Sequence, residues 1–147
     1  MTTQPTIQGA ADSIVAPHTP MLHLSPENRS RLTRLNRCWN DDIVKHRAEV
    51  LDIYTPLVRQ TDNAGIALFR DIAYGADPRQ RLDVFAPHGA SDREVLIFVH
   101  GGAFTRGSKS VNGDFFDNVA SWFARQGLVA VNVEYRLAPE AQFPAGA

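Results

Sequence analysis

The sequence predicts an α/β fold, and two observations lead to that prediction. Two apolar runs of strand length, Val95–Val99 and Leu128–Val133, flank a segment with the periodicity of an amphipathic helix. Asp114 is placed to cap this helix and Gly127 to stop it, so we expect it to run from Phe115 to about Arg125. Parallel strands need a crossover connection, which predicts a right-handed βαβ unit.

The inner face of this crossover helix is predicted from its aromatic and branched side chains. They recur at helical spacing, which is typical of a face packed on a sheet. The predicted inner residues are Phe115, Phe116, Val119, Trp122 and Phe123.

Two further strands are predicted before this unit. Residues 66–74 and 81–86 have strand periodicity and are joined by the turn-rich link Gly75–Pro78, which indicates a hairpin. Val95–Val99 is apolar on both faces, as expected for a central strand of a covered parallel sheet. The chain is thus predicted to hold three regions: a loosely ordered arm over residues 1–24, a helical region over 25–62 and the sheet domain over 63–147.

The helical region begins with a clear capping pattern. Ser25 offers a capping hydroxyl, Pro26 suits the first helical position and Glu27 places an acid in the first turn. Apolar residues then recur every three or four positions, which predicts one long amphipathic helix over residues 26–57, ended or kinked by Pro56. The predicted stripe consists of Leu32, Leu35, Trp39, Ile43, His46, Val50, Ile53 and Leu57.

The composition excludes several classes of protein. The 147 residues are 44% hydrophobic and 21% charged with a formal net charge of −1, so neither a nucleic acid nor an anionic membrane is expected as a partner. The single cysteine, Cys38, cannot form an internal disulfide. No metal and no cofactor is expected. Residues 1–24 lack the basic start and apolar block of a signal peptide, and no apolar run has membrane-spanning length, so a cytoplasmic location is expected.

The turn after Val95–Val99 reads His-Gly-Gly-Ala-Phe over residues 100–104, and two chemistries use such a turn. A phosphate loop would need the pattern GxxxxGK[ST], which residues 102–110 miss by one inserted residue before Lys109. The predicted helix also begins well past Lys109, with an Asp114 cap that would repel phosphate. The alternative is an oxyanion site, in which backbone N–H groups stabilise the negative oxygen of an acyl-transfer intermediate, and the sequence favours it.

A second motif supports the interpretation of the turn as an oxyanion site. Residues 135–140 read Tyr-Arg-Leu-Ala-Pro-Glu and are followed by Phe143-Pro144-Ala145. Together with the HGGAF turn and the strand ending in Leu82–Pro87, this order resembles α/β-hydrolases of the carboxylesterase group related to hormone-sensitive lipase. The resemblance covers about residues 66–147. Residues 26–57 only loosely resemble the helical region that caps the active site in such esterases.

The resemblance implies roles for the residues of the turn. The backbone N–H groups of Gly102 and Ala103 would be the oxyanion donors, although many relatives carry a third glycine where Ala103 stands. His100 and Gly101 would support the turn, His100 by hydrogen bonding rather than by catalysis. Phe104 would be a wall of the acyl pocket or part of the core. The substrate of the complete enzyme would be a small-molecule ester, with an amide open as an alternative because arylformamidases use a similar turn.

The nucleophile that this chemistry requires is missing from the sequence. None of the seven serines stands in a G-x-S-x-G elbow. The resemblance places the serine, acid and histidine beyond Ala147, so we expect a truncated hydrolase that is inactive alone. Half of a split enzyme that needs a second chain and a non-catalytic interaction module remain as alternatives. An unpaired edge at Val95–Val99 would favour self-association.

Overall fold

The structure is a computed structural model that describes residues 24–59 and 62–145. The predicted arm over residues 1–24 lies outside the described residues except for Leu24. Close contacts divide the chain into two compact units, one ending at Val50 and the other beginning at Leu51. No helix within the described ranges is long and apolar enough to cross a membrane.

The predicted helix over residues 26–57 is wrong in one respect, because it is two helices. Helix α1 covers Pro26–Cys38 and begins as predicted, with the Ser25 hydroxyl accepting a hydrogen bond from the Asn28 N–H at 3.1 Å. A short 3₁₀ turn follows over Trp39–Asp41. Helix α2 then covers Ile43–Val58 and ends two residues after Pro56.

The break between α1 and α2 has a local cause. The Asp42 carboxylate accepts a hydrogen bond from the Lys45 N–H at 3.0 Å and so caps a new helix. Asn and Asp side chains compete with helical hydrogen bonds, which makes this position a poor helix interior. The apolar stripe is interrupted as a result. Three of its eight residues are buried, namely Leu35, His46 and Ile53, while Trp39 and Ile43 are exposed.

The second unit contains a mixed sheet of four strands in the order β1-β2-β4-β3. Strand β1 (Ile66–Ala73) pairs antiparallel with β2 (Arg81–Pro87), which confirms the hairpin. Strand β3 (Val95–Val99) pairs in parallel with β4 (Val129–Val133), which confirms the βαβ unit. The two motif segments therefore leave the sheet at the same edge, because each follows the carboxyl end of a parallel strand.

Helix α3 connects β3 and β4 but begins later than predicted. It covers Asp117–Arg125, so the expected start at Phe115 and the expected Asp114 cap are wrong. The Asp114 carboxylate instead accepts a hydrogen bond from Arg59 at 2.9 Å. Phe116 has a φ of 72°, a left-handed conformation that a continuous helix excludes. The end of α3 at Arg125, just before Gly127, is as predicted.

The inner face of α3 also differs from the predicted one. Trp122 is 50% exposed, whereas Ala120, Ser121 and Ala124 are buried. Small side chains on this face allow close approach to the sheet, and the core cluster contains Ala120 and Ala124 of α3 with Phe85 of β2 and Ala130 of β4. Of the predicted inner residues of α3, Phe123 does pack against this cluster, whereas Trp122 is turned to the exposed side.

The other face of the sheet carries apolar side chains and is largely open. Strand β3 lies at the edge of the described sheet instead of at its centre, and Val95, Ile97 and Val99 are 58–64% exposed. We call this surface the open sheet face. It is formed by cross-strand neighbours from all four strands: Phe69, Ile72, Leu82, Val84, Val95, Ile97, Val99, Val131 and Val133.

Candidate active site

The glycine turn lies at the carboxyl end of β3, as predicted. Gly102, Ala103 and Phe104 have φ values of 142°, 55° and 59°, so three successive residues adopt positive φ. The N–H groups of Thr105 and Arg106 both donate to the Gly102 carbonyl at 3.1 Å. Within residues 24–59 and 62–145, the N–H groups of Gly102 and Ala103 have no hydrogen-bond acceptor. The turn therefore leaves two adjacent donors available to a ligand.

The turn imposes different demands on its two donor residues. A Cβ atom on Gly102 would lie 1.7 Å from the Arg106 carbonyl oxygen, so only glycine fits there. Ala103 carries its methyl group at a φ where a side chain costs about 1–3 kcal/mol. Strain of this kind is retained when the surrounding contacts fix the backbone.

Replacing Gly102 by alanine should destabilise the second unit markedly. The added Cβ meets the backbone at a φ of 142°, and a loss of at least about 2 kcal/mol should lower the Tm by roughly 10 °C. Gly101→Ala is the matched control, because a Cβ at Gly101 meets nothing within 4 Å. Thermal unfolding followed by circular dichroism measures both. Equal Tm values for the two variants would contradict the steric argument.

His100 is fixed beside the turn by hydrogen bonds at both ring nitrogens and by stacking on Tyr135. Its side chain is fully buried, Nδ1 lies 2.8 Å from the Gly101 carbonyl oxygen, and Nε2 lies 3.0 Å from Glu134 Oε1. The ring stacks on Tyr135 with centroids 4.3 Å apart. Within the described residues these contacts hold the imidazole away from any open surface, which suits a positioning role.

Glu134 is the residue of this site that sequence reasoning missed. It directly follows β4, and its carboxylate accepts hydrogen bonds from His100, from the Lys109 N–H at 3.0 Å and from Arg79. Burial works to raise the pKa of the Glu134 carboxyl, but the hydrogen bonds from Lys109, His100 and Ser108 and the charge of Arg79 outweigh it and lower the pKa. Glu134 therefore stays a carboxylate. The signal in the sequence was the alternation of Asn132 and Glu134, which places the Glu134 side chain on the buried side of the chain just past the end of β4.

The Tyr-Arg-Leu-Ala-Pro-Glu segment holds the turn from the other side. The Tyr135 hydroxyl donates to the His100 carbonyl at 2.8 Å, and the Ala138 N–H donates to the Phe104 carbonyl at 2.8 Å. The two motifs, which are separate in sequence, thus form one hydrogen-bonded unit at the end of β3 and β4.

Phe104 does not belong to the core, so that alternative for its role is wrong. Its side chain is 69% exposed, and its ring contacts Tyr135 with a centroid distance of 5.9 Å. An open cavity of about 530 Å³ lies beside the next residue, Thr105, and continues along Leu137–Ala141.

Lys109, the residue that suggested a phosphate loop, is committed to a buried charge cluster. Its ammonium lies 2.8 Å from both Asp83 carboxylate oxygens and 2.9 Å from an Asp71 oxygen. Arg70 bridges Asp83, at 2.7 Å, to Asp117. The lysine that would contact a phosphate is thus neutralised by carboxylates, which agrees with the preference for an oxyanion site.

Asp83 should make the stability of the chain depend on pH. Burial raises the pKa of its carboxyl, but hydrogen bonds from Lys109, the Asp71 N–H and Arg70 outweigh burial and lower it. A depressed pKa stabilises the fold above the unfolded-state value of about 4, and the stabilisation is lost as pH falls below it. Urea unfolding from pH 7 to pH 3 should therefore show wild type losing stability more steeply than Asp83→Asn. Parallel pH profiles would contradict the assignment.

The described part of the chain contains no group of three or more His, Cys, Asp or Glu side chains that could hold a metal ion.

Two solved esterase structures have a similar fold. Bacterial heroin esterase aligns over 87% of this chain and 40% of its own, with a TM-score of 0.55 and 30% identity. Esterase B from Lactobacillus rhamnosis aligns over 83% of this chain and 36% of its own, with a TM-score of 0.50 and 20% identity. The fold is therefore that of the α/β-hydrolases, and this chain spans less than half of either structure.

The sequence comparisons agree with the fold. Residues 82–147 match the BD-FAE family. Esterase LipC of Mycobacterium tuberculosis is 40% identical over 77 residues, which cover 51% of this chain and 18% of that protein. Gut esterase 1 of Caenorhabditis elegans is 35% identical over 66 residues, which cover 44% of this chain and 11% of that protein. The chain therefore has the fold of the α/β-hydrolases and is similar in sequence to esterases, of which it spans only a small part.

Proposed function

We propose that this chain supplies the oxyanion half of a serine carboxylic ester hydrolase. The free N–H groups of Gly102 and Ala103 at the carboxyl end of β3 carry the proposal. In ester hydrolysis the substrate carbonyl oxygen becomes negative when the nucleophile attacks. Two N–H donors fixed about 3 Å from that oxygen stabilise the charge without reorganising.

The serine, acid and histidine of this proposed enzyme come from polypeptide outside residues 1–147, either as a continuation of the chain or as a second chain. The shares of 40% and 18% that the chain covers in heroin esterase and LipC support this part of the proposal. The ring of Phe104 would line the path of the acyl group, because it is exposed next to the donors. The proposed substrate class is a small ester.

A chimera tests the proposal. Residues 63–147 replace the corresponding segment of bacterial heroin esterase, whose alignment with this chain shows that the folds match. We expect the chimera to hydrolyse short-chain aryl esters and to be labelled by a serine-directed phosphonate. Gly102→Ala keeps the N–H but displaces the turn, because its Cβ meets the Arg106 carbonyl, and a donor misplaced by about 1 Å should lower kcat/KM of the chimera by about 10²-fold.

Arg93→Gln is the control, because Arg93 is exposed and lies just before the opposite end of β3. It should leave kcat/KM within about twofold of the chimera, since surface changes away from specific contacts are nearly neutral. A folded chimera without ester hydrolysis, or one in which Gly102→Ala matches Arg93→Gln, would contradict the proposed function.

A further inference from the structure

Each ring nitrogen of His100 has an oxygen atom as its hydrogen-bond partner. Nδ1 lies 2.8 Å from the carbonyl oxygen of Gly101, and Nε2 lies 3.0 Å from a carboxylate oxygen of Glu134. Both partners are acceptors, because a carbonyl and a carboxylate have no proton to donate. A neutral imidazole has one N–H, so either tautomer would set a nitrogen lone pair against an oxygen. The imidazolium, with two N–H groups, satisfies both contacts.

The surroundings of the ring supply a counter-charge. The Glu134 carboxylate is 10% exposed and remains ionised, since the hydrogen bonds and charge around it lower its pKa despite burial. Arg79 shares Glu134 Oε1 with His100, but its side chain is 37% exposed, so water screens it. The other titratable groups nearby are Tyr135, stacked on the ring, and Lys109, whose ammonium is held by Asp83 and Asp71.

The position of the ring is fixed as closely as its partners. A Cβ atom on Gly107 would lie 2.6 Å from His100 Nδ1, so glycine at this position allows the backbone to pack against the ring edge. The ring also stacks on Phe116, with a centroid distance of 6.5 Å. Rotation of the imidazole out of its two hydrogen bonds would require these neighbours to move.

We propose that Glu134 holds His100 as an imidazolium, and that this charge polarises the Gly101–Gly102 peptide group and strengthens the Gly102 N–H as a donor. The carbonyl that accepts from Nδ1 and the N–H of Gly102 belong to the same peptide group. Hydrogen bonding at one end of a peptide group strengthens hydrogen bonding at the other by about 10–30%. The first half of the inference is independent of the reaction, and the second half rests on the proposed function.

His100 and Glu134 are thus positioning residues, because their buried side chains contact other protein groups and do not reach a substrate. In this proposal the positive charge of His100 affects the substrate carbonyl oxygen by polarising the Gly101–Gly102 peptide group, and only in that way. This assigns a role to the Glu that precedes the Tyr-Arg-Leu-Ala-Pro-Glu segment, and it explains why a histidine, rather than a smaller polar residue, begins the turn.

Nuclear magnetic resonance of the ¹⁵N-labelled 147-residue chain at pH 7 tests the inference without any activity. We expect both ring nitrogens of His100 to be protonated, with similar ¹⁵N shifts. In Glu134→Gln one nitrogen should lose its proton, so that the two shifts separate widely, and the Gly102 amide proton should move upfield. Glu140→Gln is the matched control, because it removes the same charge at an exposed site in the same segment.

Each outcome decides a part of the inference. A neutral His100 in wild type would overturn it, as would an imidazolium that persists in Glu134→Gln. An unmoved Gly102 amide proton in a neutral Glu134→Gln variant would overturn the polarisation. If association broadens the spectra, the same comparison is made in an Ile97→Lys background, which places a charge on the open sheet face.

The chimera provides a second readout. Glu134→Gln should lower kcat by about tenfold with KM nearly unchanged, less than the ~10²–10³ lost with a donor itself. Glu134→Asp should restore part of kcat, because it returns the charge. If the chimera is inactive while the NMR spectra show a charged His100, the proposed function is wrong but the inferred protonation state of His100 is supported.

Discussion

The isolated 147-residue chain should hydrolyse short-chain aryl esters no faster than buffer does. None of its seven serines lies in a G-x-S-x-G elbow. Three serines have structural partners or positions instead: Ser25 caps α1, Ser108 hydrogen-bonds Glu134, and Ser121 is 2% exposed in the interface of α3. Ser30 and Ser91 are exposed, but neither stands in the strand-to-helix elbow that a serine nucleophile needs.

The size of the expected loss follows from other serine hydrolases. Enzymes without triad residues retain only about 10³–10⁴ of acceleration over water, supplied by the oxyanion hole and substrate binding. The remaining acceleration requires oxyanion donors that are held in place, because a displacement of about 1 Å can lower the rate roughly 10²-fold. The donor that follows the nucleophile in the complete site is missing as well. We expect the remaining acceleration to be too small to detect.

The measurement compares ester hydrolysis by the chain alone with that of the heroin esterase chimera under the same conditions. A serine-directed phosphonate is added to each, and mass spectrometry counts the label. We expect stoichiometric labelling of the chimera and none of the chain. Burst kinetics by the chain, with one phosphonate on one of its own serines, would show that the proposed division of the site is wrong.

The second large effect expected is self-association at micromolar concentration. Strand β3 has an unpaired edge in the described sheet, and its side chains at Val95, Ile97 and Val99 are more than half exposed. An apolar, uncharged edge strand is a template for pairing with another chain. A formal net charge of −1 provides little repulsion against it. We therefore expect a second copy to pair along β3 and cover part of the open sheet face.

Sedimentation velocity over a range of concentrations measures this association. Ile97→Lys should weaken it by at least about tenfold, equivalent to roughly 1.4 kcal/mol, because a charge on the open sheet face opposes burial. Val44→Lys is the matched control, since it adds the same charge at an exposed valine of helix α2. A compact monomer for wild type at all concentrations, or equal effects of the two lysines, would contradict pairing through β3.

Local pattern was enough to predict much of the fold. The hairpin of β1 and β2, the parallel pair of β3 and β4, and the Ser25 cap all depend on residues that are close in sequence. The two motifs likewise indicated that a turn at the end of β3 and a segment after β4 belong to one esterase-like fold. Each of these features follows from hydrophobic period or turn chemistry, which a single sequence displays.

Predictions were wrong where another interaction in the folded chain outweighed the local sequence pattern. Asp114 has the residue type of a helix cap, but its carboxylate pairs with Arg59, which is 55 positions earlier. The apolar stripe over residues 26–57 was continuous in sequence, but the Asp42 cap divides the helix. Val95–Val99 has the composition of a covered strand, and its exposure depends on what lies beside it in space.

The sequence by itself determined the fold class, the esterase relationship and the turn that carries the candidate donors. Only the tertiary structure decided that Glu134, 34 positions from His100, lies beneath that turn, and that Lys109 is neutralised by Asp83. The physical reason is the range of the interactions. Hydrophobic period and backbone conformation depend on residues that are near neighbours in sequence. A buried charge is stable only where folding brings an oppositely charged partner to it, and the spacing of the two residues in the sequence does not indicate that contact.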